Sequence, residues 1–274
     1  MTDLPLLGAA MSTATLETLQ DFILSENRDL EVQDFCNCDL LNGDWKTVAD
    51  QTRKLLAGYT GRLGIHGPFW GLNIASPDRE MRALNTRKHL QGIEVCEYLG
   101  VTQMVIHSPY TTWSYNNLDN GPDRENYQQL IENCHDTMKD VVKRAEDCGV
   151  TMVIENIEDI DTDIRCALAD SFDSTAMAVS IDTGHAHYAH GSNGAAPVDY
   201  FVRRAANRLQ HIHLQDADGY ADRHWAIGEG TIRWQAVFRA LEELTSQPRL
   251  ILELRDKAGI LPSVAYLNAL GLAR

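Results

Sequence analysis

TMVIENI, residues 151–157, sets the pattern that decides the fold: a short apolar, β-branched body that ends in a carboxylate, Glu155. On either side lie runs of the same kind, QMVIHSP at 103–109 and AVSIDT at 178–183, each delivering a metal-capable side chain near its end. Beyond them come RLGIHGPF (62–69), LQHIHLQD (209–216) and RLILELR (249–255), with LPLLGAAM (4–11) and LEVQDF (30–35) before them all. Short apolar runs bounded by turn residues read as strands. Longer amphipathic stretches separate them, at 16–24, 45–58, 78–99, 124–148, 163–170, 198–206, 234–244 and 262–270. Eight strand–helix alternations with no GxGxxG after the first strand predict an α/β protein, a single (β/α)8 TIM barrel rather than an open doubly wound sheet.

Helix punctuation supports the reading. Ser76-Pro77-Asp78 offers an N-cap, a proline at the first helical position and an acid for the dipole. Gly100 and Gly149 follow helices as C-caps.

The chemistry gathers at the strand ends. His66 ends the third strand, His107 the fourth, Glu155 the fifth and Asp182 the sixth, with His185 just after it; His213 belongs to the seventh and Glu253 to the eighth. In a barrel those ends meet on one face, where active sites of this fold lie. Any one of them alone reads as a hydrogen-bonded structural histidine or a paired carboxylate. So many buried carboxylates and imidazoles converging without a cation would carry a large desolvation and repulsion cost, which a divalent metal removes.

The loop QDADGYADRHWAIGEG (215–230) adds Asp222 and His224, two apart, ahead of a Gly228-Glu229-Gly230 turn. Trp70, Trp113, Tyr110 and Trp225 fall in loops at the same face, where they wall a pocket or pack its rim. His211 is expected to face away from the interior, His187 and His190 to lie in a loop, and His89 and His135 to be exposed on helices.

At 274 residues and 44% hydrophobic, the chain suits one barrel domain spanning 1–274. No run reaches the roughly 18 apolar residues of a membrane helix and the start lacks a basic signal-peptide region, so a cytoplasmic protein is expected. Six scattered cysteines lack the spacing of a disulfide framework and are expected reduced. Cys36 and Cys38 form a CxC with no second pair nearby, and read as small residues at a strand end rather than a metal site. A net charge of −15 disfavours nucleic acid as a partner.

GIHGPFWGLNIASPD, VIHSPY, VIENIED, SIDTGHAH, HIHLQDADG, DRHWAIGEGTIRW and LILELRD, in that order, resemble the xylose isomerase-like TIM-barrel superfamily from strand one to strand eight. That superfamily holds sugar and sugar-phosphate isomerases and epimerases, inosose dehydratases, hydroxypyruvate isomerases and endonuclease IV. In its ketose epimerases one Mn, Mg or Co ion sits on four ligands that match Glu155, Asp182, His213 and Glu253 here. In endonuclease IV three zinc ions use those four together with positions matching His66, His107, His185, Asp222 and His224. Two departures weigh against the nuclease: the start GAAMSTATLETL lacks its GxHxSxxGG-like pattern, and the net charge of −15 is wrong for gripping a phosphate backbone; Phe69-Trp70-Gly71-Leu72-Asn73 also does not reproduce its tyrosine-containing DNA-probing loop.

The resemblance therefore implies a divalent-metal isomerase or epimerase of a sugar, sugar phosphate or related hydroxy-ketone, with no organic cofactor. Glu155 and Glu253 are the expected acid/base pair. His66, His107, His185, His224, Trp70 and Trp113 are expected at the substrate. The alternative is a trinuclear zinc phosphodiesterase acting on abasic DNA. Family members are often homo-oligomers, although no stripe in this sequence marks an interface.

Overall fold

The computed structural model describes residues 4–119 and 125–274. Eight parallel strands close into one barrel in sequence order: β1 (Gly8–Met11), β2 (Leu30–Val32), β3 (Leu63–His66), β4 (Gln103–His107), β5 (Thr151–Glu155), β6 (Met177–Asp182), β7 (Leu209–Leu214) and β8 (Arg249–Leu252). Pairing of Gly8 with Ile251 and Ala9 with Leu252 closes it. Helices α1 (Thr13–Leu24), α2 (Cys38–Asn42), α3 (Trp45–Leu55), α4 (Arg79–Leu99), α5 (Thr112–Tyr115), α6 (Glu125–Cys148), α7 (Thr162–Ser171), α8 (Thr183–Asn193), α9 (Val198–Ala205), α10 (Trp234–Glu242) and α11 (Ile260–Ala269) form the outer ring and its short extras. The barrel expected from the strand–helix alternation is present.

The period-two alternation of each strand divides the core. Met104, Ile106, Met152, Ile154, Val179 and Ile181 belong to the large cluster that joins strands to helices. Val105, Val153 and Ala178, one residue out of step, form a second small cluster in the lumen. Continuing that inward set by two residues along β4 and β5 gives His107 and Glu155, and by four along β6 gives Asp182. Val105, Val153 and Ala178 make one side of the lumen apolar, Glu31 and His211 face it from β2 and β7, and ionisable side chains gather at its C-terminal mouth.

Several expectations change. β2 stops at Val32, and a 3-10 turn, Asp34–Cys36, follows, because Asp34 Oδ2 accepts from the Thr13 N–H at 2.7 Å and from the Thr13 hydroxyl at 2.9 Å. Asp78, rather than Ser76, caps α4: its Oδ1 accepts from the N–H of Glu80 at 2.7 Å and of Met81 at 3.2 Å. Gly100 takes the expected left-handed cap at φ 70°. The expected start at Arg124 lies outside the described residues.

His187 and His190 lie on α8 rather than in a loop; Asp182 caps that helix, although TGHAHYAHGSN has no apolar period to announce it. His89 is buried, donating Nδ1–H to Asn85 O at 2.8 Å, while His135 is partly exposed. His211 faces the lumen with His213, since residues two apart on a strand share a face. All six cysteines are free thiols. Among the described residues no helix is long and apolar enough to cross a membrane.

Candidate metal centre

The C-terminal mouth of the barrel opens into a cavity of about 540 Å³. His66, His107, Glu155, His185, Asp222, His224 and Glu253 line it, while Asp182 and His213, both fully buried, lie at its base. Trp70, 68% exposed, stands at its rim beside Phe69, whose ring stacks on His107 at 4.1 Å between centroids. Trp113 lies on α5, 81% exposed, and is not part of the lining; Tyr110 is a core residue whose hydroxyl donates to Ile164 O at 3.2 Å.

The nine expected ligands form three donor groups: His66, His107 and Glu155; Glu155, Asp182, His213 and Glu253; and His185, Asp222 and His224. Within each, one ligand atom per residue lies within 4.8 Å of the others. Glu155 belongs to two groups, with Oε1 2.8 Å from His213 Nδ1 and Oε2 3.6 Å from His66 Nε2 and 3.7 Å from His107 Nε2.

The donors fit a cation. Glu155 Oε2 and Asp182 Oδ2 are buried with no hydrogen-bond partner, a costly state for carboxylate oxygens that a shared ion relieves. The imidazoles are also aimed. His66 donates Nδ1–H to Gly67 O at 2.9 Å, His185 to Asn156 O at 2.8 Å and His224 to Glu253 O at 3.0 Å. A carbonyl only accepts, so each Nδ1 keeps its proton, and on losing the second proton each ring would turn an Nε2 lone pair to an ion in the cluster. Gaps of 3.5 to 3.7 Å, such as His185 Nε2 to Asp222 Oδ1, are too long for a hydrogen bond but suit donors sharing an ion at roughly 2.0–2.2 Å from each.

Without an ion the site is a field of opposed charges. Burial opposes ionisation of Glu155, yet the His213 charge and hydrogen bond hold its carboxyl well below the usual range. Asp182 is pushed up to about 6 by burial, against the pull of His185 and His224. Burial would lower His224, but the Asp222 hydrogen bond and the Glu253 charge raise it to about 9. His107, buried with weaker carboxylate support, falls to about 3.

Supporting residues hold these side chains in place. Gln215 donates Nε2–H to Asp182 Oδ1 at 3.1 Å and Asp222 Oδ1 at 2.9 Å, and its Oε1 accepts the His224 N–H at 2.7 Å. Asp216 pins the loop that presents Asp222 and His224, accepting from the N–H of Gly228 and Ile232 and from Trp234 Nε1 at 2.8, 3.2 and 3.0 Å. Gly230 is required there, since a Cβ would come within 2.3 Å of Asp216 Oδ1 and Ala217 O. His224 itself sits at φ 50°, a strained backbone for a side chain of its size.

The sequence reading missed Glu31, Gln33, His211, Gln215 and Lys257. Glu31 carried a legible signal, a lone acid between Leu30 and Val32 in an apolar strand. Gln33 donates to Glu253 Oε1 at 2.5 Å and accepts from Lys257 Nζ at 3.0 Å, contacts that link separate strand ends.

Residues 35–270 match the family described as xylose isomerase-like TIM barrel. The chain belongs to that family. Within it, the chain is 27% identical over 195 residues to an uncharacterized protein of Methanocaldococcus jannaschii, covering 68% of this chain and 62% of that one. A fructoselysine 3-epimerase of Shigella flexneri is 24% identical over 203 residues, covering 71% of this chain and 66% of the epimerase. The matches thus span just under two thirds of both relatives' length. Among solved structures, a Thermus thermophilus protein, TTHB071, soaked with ZnCl2, superposes with a TM-score of 0.73 at 26% identity, covering 98% of this chain and 99% of that one. This xylose isomerase-like barrel thus has sugar-epimerase and zinc-soaked relatives.

Proposed function

We propose that the chain is a divalent-metal-dependent isomerase or epimerase of a sugar, sugar phosphate or related hydroxy-ketone. The observation that carries this reading is the placement of Glu155 and Glu253. From different strands they flank His213, whose Nδ1 lies 2.8 Å from Glu155 Oε1 and 3.4 Å from Glu253 Oε2. Both carboxylates line a cavity large enough for a small carbohydrate. The epimerase relative supports the same chemistry.

Glu155, Asp182, His213 and Glu253 would hold the ion, which when bound polarises a carbonyl and stabilises negative charge beside it. Glu155 and Glu253 then act as the acid/base pair. One removes the proton next to the carbonyl; the other returns a proton to the opposite face for epimerisation, or to the neighbouring carbon for isomerisation. His185 and His224 orient substrate oxygens, His66 and His107 line the pocket, and Trp70 offers a flat apolar wall at its rim. Residues 1–274 work in this reading as one catalytic domain.

One observation favours a second reading, a trinuclear zinc phosphodiesterase. His66–His107–Glu155 and His185–Asp222–His224 are each rich enough in imidazole to suit zinc. Elemental analysis of the reconstituted protein separates the two. About one Mn, Co or Mg per chain, with turnover on a ketose panel, supports the isomerase, whereas about three Zn with cleavage of abasic-site DNA overturns it.

A further inference from the structure

We propose that Glu31 is a positioning carboxylate of this centre: it accepts the Nε2–H of His213 across the lumen and so fixes the tautomer that presents Nδ1 to Glu155, Asp182 and Glu253. The inference rests on the metal-dependent reading above.

His213 is fully buried with carboxylates on both sides of its ring. Nδ1 faces Glu155 and Glu253, while Nε2 lies 3.1 Å from Glu31 Oε1 and 3.2 Å from Glu31 Oε2. The other anchored imidazoles of the cluster, His66, His185 and His224, have their outward nitrogen held by a main-chain carbonyl. His213 projects into the lumen from near the C-terminal end of β7, and the Glu31 carboxylate takes the place of that carbonyl behind it. A carboxylate is a stronger acceptor than a carbonyl, so it also makes the opposite nitrogen a better electron donor.

A second imidazole lies behind Glu31, at ion-pair distance but without hydrogen-bond geometry. His211 Nε2 lies 3.1 Å from its Oε2, and His211 Nδ1 lies 2.8 Å from Ser180 Oγ. Ser180, His211, Glu31 and His213 therefore stand next to one another across the lumen beneath the cavity.

Glu31, His211 and His213 also sit close enough to be taken for an ion site of their own. The two roles exclude each other. A neutral imidazole has one lone pair: if Nε2 gave it to an ion beside Glu31, Nδ1 would carry the proton and His213 would be lost from the Glu155–Asp182–Glu253 group. With Glu31 accepting from Nε2–H, the lone pair is on Nδ1.

The test uses the full chain loaded with Zn2+ and labelled with 15N-histidine. The expected long-range 1H–15N spectrum shows His213 protonated at Nε2 and metal-bound at Nδ1; metal at Nε2 overturns the proposal without any variant. Titration of Glu31→Gln should show Zn2+ binding weakened about 10- to 100-fold at an unchanged metal count per chain, with partial recovery in Glu31→Asp. Unchanged affinity in Glu31→Gln, or the loss of one equivalent of metal, overturns it. A wild-type chain that takes up no divalent ion overturns both this inference and the function it rests on, whereas normal wild-type uptake indifferent to Glu31 overturns this inference alone.

Discussion

Gln33 donates its Nε2–H to Oε1 of Glu253 over 2.5 Å, tying the segment after β2 to the residue after β8. Lys257 Nζ, donating to Gln33 Oε1 at 3.0 Å, fixes which way the amide faces. Glu253 Oε2 is left 3.4 Å from His213 Nδ1. Replacing Gln33 with Leu frees the carboxylate to rotate, and kcat/KM should fall about 10- to 100-fold, as is usual when an outer partner of a ligand is removed. Steady-state kinetics on a turned-over ketose measure it; an unchanged rate removes Gln33 from the site.

Glu155→Gln and Glu253→Gln should be the most damaging substitutions, each removing an acid/base group and a ligand atom together. His66→Ala and His107→Ala should lower activity far less, leaving the metal count per chain unchanged. Equal metal loss at all nine ligand positions, read by elemental analysis, would point to a trinuclear centre instead.

The pH dependence of stability should change sign with metal. In metal-free protein the histidine at 224 is raised to about 9 from an ordinary value near 6.5. Such a group stabilises the fold fully below about 6.5, and that contribution is lost as pH rises through about 9. Ligation needs a neutral His213; burial would lower its pKa, but the charges of Glu253, Glu31 and Glu155 hold it well above the ordinary value, so metal binding strengthens as pH rises. Thermal unfolding followed from pH 6.5 to 9 should give a falling Tm in chelator and a rising Tm with saturating metal; parallel curves would refute His213 as a ligand.

Gly184→Ala should damage the centre without touching a ligand. A Cβ at 184 would meet the Gln215 side chain at 2.2 Å. That amide holds Asp182, Asp222 and His224, and it has nowhere to retreat because Gln215 is fully buried. Overpacking of this kind costs about 1–3 kcal/mol. Denaturant unfolding should show that loss, and metal affinity should fall with it; a stable, fully binding variant would contradict the packing.

Much of this protein was legible in one dimension. Eight apolar runs separated by amphipathic stretches specify a parallel barrel because hydrophobic period and connection length are local properties. The nine strand-end and loop donors that the barrel brings together were legible for the same reason: an ionisable side chain closing an apolar run stands out against its neighbours. Even the misplacing of His211 was a local error, since period two puts it beside His213.

The partition of those donors into three groups depended on the closed barrel, as did the orphaned oxygens of Glu155 and Asp182. So did the reach of Glu31 across the lumen to His213, and the span of Gln33 from β2 to Glu253. These contacts join residues up to 220 positions apart in the chain. Strand tilt and closure decide which side chains meet across a barrel, and no local period in the sequence records either.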